Sequence, residues 1–383
     1  MKRGLCFLLS CLLMITPVFA SEDRIEDVTP QAASSILVDA ATGEILAEKQ
    51  SSERLYPASM TKMMSLLLVF EALHEGRIGW DDEVTASDHV ASIGGSQIYL
   101  SAREVMSIRD LMKASAIASA NDAITALAEK VAGSEAVFVS MMNRKAEELQ
   151  LQQTHFVNPT GLHDDQHYSC AKDMAVIARE LIKEGGQELL DLTKTYDDYI
   201  RQDTDQKFWL VNTNKMIRTY QGMDGLKTGY TSQAHYCITV TAQREGLRLI
   251  GVVMKEPTRG IRNQEAAALL DYGFSHYAYQ PLMKSEEVVD RIRISNGNPD
   301  EVDLVVKKEI GKIISKGQPV TVTDREIRLN STVAPVSKGE TAGQIILHCS
   351  DGTRVSGEMI YGQDVQPVRW MERWMTTVRK MIF

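Results

Sequence analysis

Cysteine is scarce: the chain has five in 383 residues, and Cys6 and Cys11 sit in an apolar stretch at its start. Cys170, Cys237 and Cys349 are too few for a disulfide framework; at most one bridge can form, with a thiol left over. Cationic excess is also missing. The 42 lysines and arginines face 51 aspartates and glutamates, a formal charge of −9, so there is no general basic face for nucleic acid. The leading apolar run, Leu5 to Ile15, is too short for a comfortable membrane span. His155, His163 and His167 lie close together without an H-E-x-x-H or paired-cysteine spacing, and read as loop and packing residues rather than metal ligands. Neither a G-x-S-x-G elbow nor a phosphate-binding loop occurs, and no cofactor is implied.

What is there begins with an export signature. Residues 1–20 carry two early cations, the apolar run and a small-residue cleavage site ending at Ala20, before acidic Ser21-Glu22-Asp23. This reads as a secretory signal peptide. With 44% hydrophobic residues, the rest is long enough for two domains with real cores.

Two short apolar runs over Ser35–Lys49, around Ala41-Thr42-Gly43, predict a β-hairpin. A helix apolar nearly all round follows from Met60 to Glu75 and should be buried. Ala-rich helical patterns cover Ile108–Ala132, Ser134–Leu149 and Ala171–Lys183, with a turn at Asn158-Pro159-Thr160-Gly161. Strands return at His235–Gln243 and Leu247–Met254 about a Glu245-Gly246 turn, and Asn263–Tyr272 reads as a helix ending at Gly273. Strands, helices, strands, helix is the order of an α+β domain whose antiparallel sheet is covered by helices. Beyond about Gln280 come short β-type runs, Val288–Ile294, Asp303–Val306, Pro319–Val322, Glu326–Leu329 and Gln344–His348, which predict a small all-β domain.

Three short motifs carry chemistry. Ser59-Met60-Thr61-Lys62 is S-x-x-K, Ser119-Ala120-Asn121 is S-x-N and Lys227-Thr228-Gly229 is K-T-G. S-x-x-K alone is weak, since about one is expected by chance in such a chain. Indeed Ser169-Cys170-Ala171-Lys172 repeats it, in the wrong place between the other two motifs. K-T-G arises by chance in roughly one such chain in ten, so the ordered trio is specific where its members are not. Taken singly, each motif has a structural explanation as a cap or a turn.

Residues three apart share a helix face, so the Lys62 amine can reach the Ser59 hydroxyl. Lysine is ordinarily protonated at neutral pH and becomes a base only if burial or a second cation lowers its pKa. The apolar helix supplies burial, and Lys227 the second cation. Free N–H groups near Ser59 favour negative charge on an attacked carbonyl oxygen. An extended peptide could pair with the strand at Lys227-Thr228-Gly229, with Lys227 and Thr228 on its terminal carboxylate and Gly229 allowing close approach. Ser119 could relay a proton, and the Asn121 amide could grip a substrate peptide bond.

These motifs, with Tyr56-Pro57-Ala58-Ser59, Asn121-Asp122-Ala123, Asn158-Pro159-Thr160-Gly161-Leu162 and Asp224-Gly225-Leu226-Lys227-Thr228-Gly229-Tyr230-Thr231, resemble the low-molecular-mass penicillin-binding D-alanyl-D-alanine carboxypeptidases over nearly the whole chain. The resemblance implies a β-lactamase/transpeptidase-like catalytic domain over 21–277 and a β-rich stalk over 278–362. It also implies acylation of Ser59 by peptidoglycan stem peptides ending in D-Ala-D-Ala, and by β-lactams. Ser59 and Tyr230 would supply the oxyanion N–H groups. Arg262, counted back from Leu269-Leu270-Asp271-Tyr272-Gly273, would hold the carboxylate, with Arg259 close by.

The segment 363–383 projects Trp370, Met371, Trp374, Met375, Val378, Met381 and Ile382 on one helical face, with Arg369, Arg373, Arg379 and Lys380 on or beside the other, and Pro367 suits its first turn. Such a helix suits a membrane interface, matching the family's peripheral anchor at the outer face of the cytoplasmic membrane; docking on the β domain is the alternative. A serine β-lactamase on this fold would need a deacylating carboxylate, but no E-x-x-L-N pattern is present. A silent wall-binding module would not need intact Ser59, Lys62 and Lys227.

Overall fold

In a computed structural model, residues 28–202 and 204–368 are described. The expected signal peptide and most of the expected anchor helix lie outside them. No helix among the described residues is long and apolar enough to cross a membrane.

The hairpin expected at Ser35–Lys49 is β1 (Ser34–Asp39) and β2 (Ile45–Lys49), turning at Gly43 with φ 79°. After a 3-10 turn at Ala58–Thr61 comes α1 (Lys62–His74), on which every residue from Lys62 to Phe70 is buried. The helical lobe and its short strands follow: β3 (Glu83–Thr85), α2 (Asp88–Ser92), β4 (Val105–Ser107), α3 (Ile108–Ile117), α4 (Asn121–Ala132), α5 (Glu135–Glu148) and α6 (Ala171–Lys194). The helical stretch 108–132 is thus two helices, separated where Ser119 takes φ 63°.

Two helices outrun their expected ends. α6 passes Lys183, bending at Gly186, because Leu189, Leu190 and Thr193 continue its buried face. A second hairpin, β5 (Asp197–Ile200) and β6 (Phe208–Val211), leads to the long strands β7 (Met223–Thr231), β8 (His235–Arg244) and β9 (Leu247–Glu256). α7 (Arg259–His276) then starts earlier than Asn263, because the Thr258 hydroxyl accepts from Ile261 N–H at 3.2 Å. It also continues past Gly273. A side chain there would come within 2.5 Å of Leu249 and 2.8 Å of Leu37, so this glycine brings the helix close to the sheet rather than stopping it.

The main sheet is antiparallel in the order β2-β1-β9-β8-β7. Ile36, Val252 and Met254 pack with α1, α4 and α6 on one face, while Leu37, Ile238 and Val253 meet Leu269, Leu270 and Phe274 of α7 on the other. Full burial of each such side chain is worth about 1.5–3 kcal/mol. β7 is an edge strand.

The second domain contains β10 (Tyr277–Met283), β11 (Val288–Arg293), β12 (Gly297–Asn298), β13 (Glu301–Val306), β14 (Ile310–Ser315), β15 (Val322–Leu329), β16 (Thr341–Cys349), β17 (Arg354–Tyr361) and β18 (Gln366–Pro367). Its five-stranded sheet, β11-β13-β17-β16-β15, closes over a core including Leu304, Ile345, Leu347, Met359 and Tyr361. The expected runs at Pro319–Val322 and Glu326–Leu329 become the single strand β15, preceded by Pro319–Thr321. Pro367 does not open a helix: it pairs in extended form with Gly297, and Val365 bridges Val336, so residues 363–368 belong to the β domain. Cys170, Cys237 and Cys349 are free and buried, so no bridge forms among them.

Candidate active site

The three motifs converge between the edge strand β7 and the helical lobe. Ser59 sits in the 3-10 turn ahead of α1, and the preceding Ala58 holds φ 47°, a left-handed conformation that a side-chain-bearing residue rarely takes without support. That support is visible. Gly161, at φ 80°, presses on this turn so closely that a Cβ would lie 1.9 Å from the Ala58 carbonyl oxygen. Across the turn, a Cβ on Gly229 would lie 2.6 Å from the Pro57 carbonyl oxygen and 3.1 Å from Ala58 Cβ. Gly229 therefore lets β7 approach the turn that carries Ser59, and the close approach expected of a substrate backbone at this glycine is made by the protein's own chain.

Lys62 is fully buried, and its Nζ lies 3.1 Å from Ser59 Oγ, 2.6 Å from Asn121 Oδ1 and 2.8 Å from the Thr160 carbonyl oxygen. Burial above all, and then the charge of Lys227, hold this amine well below the ordinary lysine range, against a smaller opposing pull from Asp122. The contacts decide how a neutral amine is oriented. It has two N–H donors and one lone pair, while the Asn121 and Thr160 oxygens can only accept. The donors go to those two, and the lone pair is left facing the Ser59 hydroxyl.

Asn121 is itself held: Nδ2 donates to the Gly94 carbonyl at 2.7 Å and its backbone N–H to Ser96 at 2.7 Å. One amide N–H remains. Asp122 fixes the same loop, its carboxylate accepting from the N–H groups of Ile98 and Leu100 at 3.1 and 3.0 Å.

Lys227, 2% exposed, donates to Ser119 Oγ at 2.8 Å and to the Thr228 carbonyl at 3.1 Å. Burial, followed by the charge of Arg262, brings its pKa down to about 7. Thr228 Oγ1 donates to Thr213 Oγ1 at 2.8 Å. Arg262 is 3% exposed, and among the described residues its guanidinium bonds only to the neighbouring Asn263 side chain, at 2.8 and 3.2 Å. Arg259, the other candidate, is exposed at the start of α7. Tyr230 is 56% exposed and packs on Tyr236 with ring centroids 4.5 Å apart.

A cavity of about 450 Å³ opens over these groups, lined by Ser59, Ser119, Thr228, Gly229, Tyr230 and Arg262 among others. Lys215 and Arg259 also line it and, among the described residues, no carboxylate does, so in an acidic chain the lining favours an anionic ligand. Sequence reasoning singled out neither Thr160, which orients Lys62, nor Thr213 and Lys215. Thr160 lay inside a quoted motif, but the others carried no signal. Ser169 and Lys172 form no second site: Ser169 is buried against Thr154 at 2.8 Å, and Lys172 is exposed. His167 is a packing group, bonded to Thr61 at 2.8 Å and held down to about 4 chiefly by burial. No metal-binding cluster occurs among the described residues.

Comparison with known proteins finds relatives over most of the chain's length. Residues 20–258 match the D-alanyl-D-alanine carboxypeptidase family, and residues 277–366 match the C-terminal domain of penicillin-binding protein 5. The D-alanyl-D-alanine carboxypeptidase DacF of Bacillus subtilis is 43% identical over 353 residues, 91% of this chain and 90% of that protein. Penicillin-binding protein 5 from Haemophilus influenzae superposes with a TM-score of 0.67 at 30% identity, covering 88% of this chain and 98% of that one. Penicillin-binding protein D2 from Listeria monocytogenes, in an ampicillin-bound form, superposes with a TM-score of 0.57 at 31% identity, over 64% of this chain and 98% of its own. The chain belongs to the D-alanyl-D-alanine carboxypeptidase family of penicillin-binding proteins.

Proposed function

We propose that Ser59 is the nucleophile of this carboxypeptidase and Lys62 the base that activates it. The observation that carries the reading is the Lys62 amine, buried and presented with two obligate acceptors so that its lone pair faces Ser59. The Ser59 Oγ proton passes to Lys62 as Oγ bonds to the carbonyl carbon of the penultimate D-Ala. Backbone N–H groups of Ser59 and Tyr230 receive the oxyanion. Collapse breaks the peptide C–N bond: the Ser119 hydroxyl, bonded to Lys227, hands its proton to the leaving D-Ala nitrogen and regains one from the Lys62 ammonium, which is then neutral again to take a proton from the hydrolytic water and return it to the departing Ser59 Oγ. Water then hydrolyses the ester.

Lys227, Thr228 and Arg262 hold the terminal carboxylate, and the free edge of β7 pairs with the peptide. Asn121 primarily positions Lys62, with one N–H left for substrate. A β-lactam acylates the same serine, a reading supported by the ampicillin- and cefotaxime-bound forms of the Listeria relative.

Export rests on residues 1–20, and peripheral attachment to the outer face of the cytoplasmic membrane on the amphipathic pattern beyond 368. To test the catalytic assignment, the purified protein and Ser59→Ala are incubated with a stem pentapeptide and with labelled penicillin. D-Ala release and a slowly lost adduct are expected, both absent in the variant. Fast penicillin turnover without D-Ala release, or an adduct in Ser59→Ala, would overturn it.

A further inference from the structure

A second cavity, of about 450 Å³, opens where β7 ends, walled by the turn residues Gln233 and Ala234 and by Tyr56, three residues before Ser59. It has no part in the chemistry above, yet the placement of the substrate leads to it. With the terminal carboxylate at Lys227 and Thr228 and the acyl carbonyl on the Tyr230 N–H, the peptide runs along β7 toward Thr231. At about 3.4 Å per residue, the residue before D-Ala-D-Ala comes level with Thr231, where the strand ends. Thr231 Oγ1 accepts the Ala234 N–H at 3.0 Å, which draws the turn that walls the cavity to this level.

Four charged side chains line the cavity: Glu53, Arg54, Asp165 and Lys255. Two of them are engaged. Arg54 donates to Gln153 Oε1 at 2.5 Å and lies over the Tyr168 ring, 4.6 Å from its centroid, and Asp165 lies 3.5 Å from His163. Glu53 and Lys255 are exposed, and neither makes an ion pair or a side-chain hydrogen bond among the described residues.

The backbone is bent to put Lys255 there. Ile238 pairs with Val253 but Tyr236 with Glu256, so Met254 and Lys255 together oppose Cys237 in a β-bulge. Such a bulge re-aims a side chain: Met254 stays buried, while Lys255 turns into the cavity. Lys255 holds φ 62°, a left-handed conformation natural to glycine and costly for a residue with a side chain. Strain of this kind persists where the side chain has work to do. Cys237 joins the bulge to the nucleophile's segment, its Sγ accepting the Lys255 N–H at 3.4 Å and lying 3.9 Å from the Tyr56 carbonyl oxygen.

We propose that this cavity is a subsite for the side chain of the residue preceding D-Ala-D-Ala, and that it selects one bearing both a carboxylate, taken by Lys255, and an amine, taken by Glu53. The cavity offers one unengaged charge of each sign, which a zwitterionic side chain answers and a side chain of single charge does not. The proposal rests on the reading that the peptide lies along β7 with its acyl carbonyl at Ser59 and Tyr230.

The test uses N-acylated peptides X-D-Ala-D-Ala in which X is a diamino diacid, lysine, aminoadipate or alanine. KM and kcat are read from D-Ala release in wild type, Lys255→Gln, Lys255→Arg and Glu53→Gln. In wild type the diamino diacid peptide should have the lowest KM, about tenfold below that of the alanine peptide. Lys255→Gln should raise KM for the two peptides with a side-chain carboxylate, and Lys255→Arg should restore it. Glu53→Gln should raise KM only where X carries an amine. The alanine peptide and penicillin, which place no charge in the cavity, should react alike in all four proteins. Equal wild-type KM for the four peptides, or a carboxylate preference that survives in Lys255→Gln, would sink the proposal. Should Lys255→Gln fail to fold, the wild-type ranking decides alone. D-Ala release in Ser59→Ala, or none from any peptide in wild type, would instead overturn the reading beneath it.

Discussion

Replacing Asn121 by aspartate tests the orientation of the Lys62 lone pair with almost no change in shape. Asn121 Oδ1 lies 2.6 Å from Lys62 Nζ, inside a fully buried pocket. Aspartate keeps an acceptor there but adds a negative charge. An opposite charge at this range favours the ammonium form, typically by about 1–3 pKa units. The sign is unambiguous: the Lys62 pKa rises, so the fraction of neutral amine falls, by about tenfold for each unit the pKa rises wherever the pH lies below the wild-type pKa, and acylation falls with it. In wild type, loss of the Lys62 proton should raise the acylation rate, and loss of the Lys227 charge that attracts a carboxylate, at about 7, should lower it. In Asn121→Asp the rising limb moves to higher pH. Stopped-flow acylation by a fluorescent penicillin from pH 5.5 to 10, with thermal unfolding as a folding check, measures both limbs. A folded variant whose rising limb coincides with the wild type's would refute Lys62 as the base.

Gly229→Ala forces a methyl group within 2.6 Å of the Pro57 carbonyl; it should cost about 1–3 kcal/mol of stability and slow penicillin acylation by displacing Ser59, and unchanged melting temperature and acylation together would contradict that packing. For membrane attachment, the chain from residue 21 to 383 should sediment with anionic lipid vesicles and a chain ending at 368 should not; equal sedimentation of the two would remove the C-terminal segment as the anchor.

Several elements were legible because their signals are local. The β1–β2 hairpin, the all-round apolar α1 and the order of the three motifs follow from turn chemistry, periodicity and spacing over a few residues. Helix ends were less legible. Gly186 and Gly273 look like stops, yet α6 bends and continues because its buried face continues, and Gly273 is a contact point with Leu37 and Leu249. Likewise Pro367, a natural helix opener, is held extended by Gly297, a partner 70 residues away. Propensity yields wherever distant packing contributes more than a local preference.

By itself, the sequence determined the fold class, the two-domain order and which serine has companions: Ser59 is distinguished from Ser169 by the motifs that follow, a matter of order along the chain. Only the tertiary structure decided what those companions do. Gly161 and Gly229 brace the strained turn at Ala58, Asn121 and Thr160 aim the Lys62 lone pair, and Lys227 sits on Ser119 rather than on Lys62. The physical reason is that a pKa, a lone-pair direction and a close backbone approach depend on which groups share a low-dielectric space. Residues 59, 121, 160 and 227 come to share it only when β7 closes against the helical lobe.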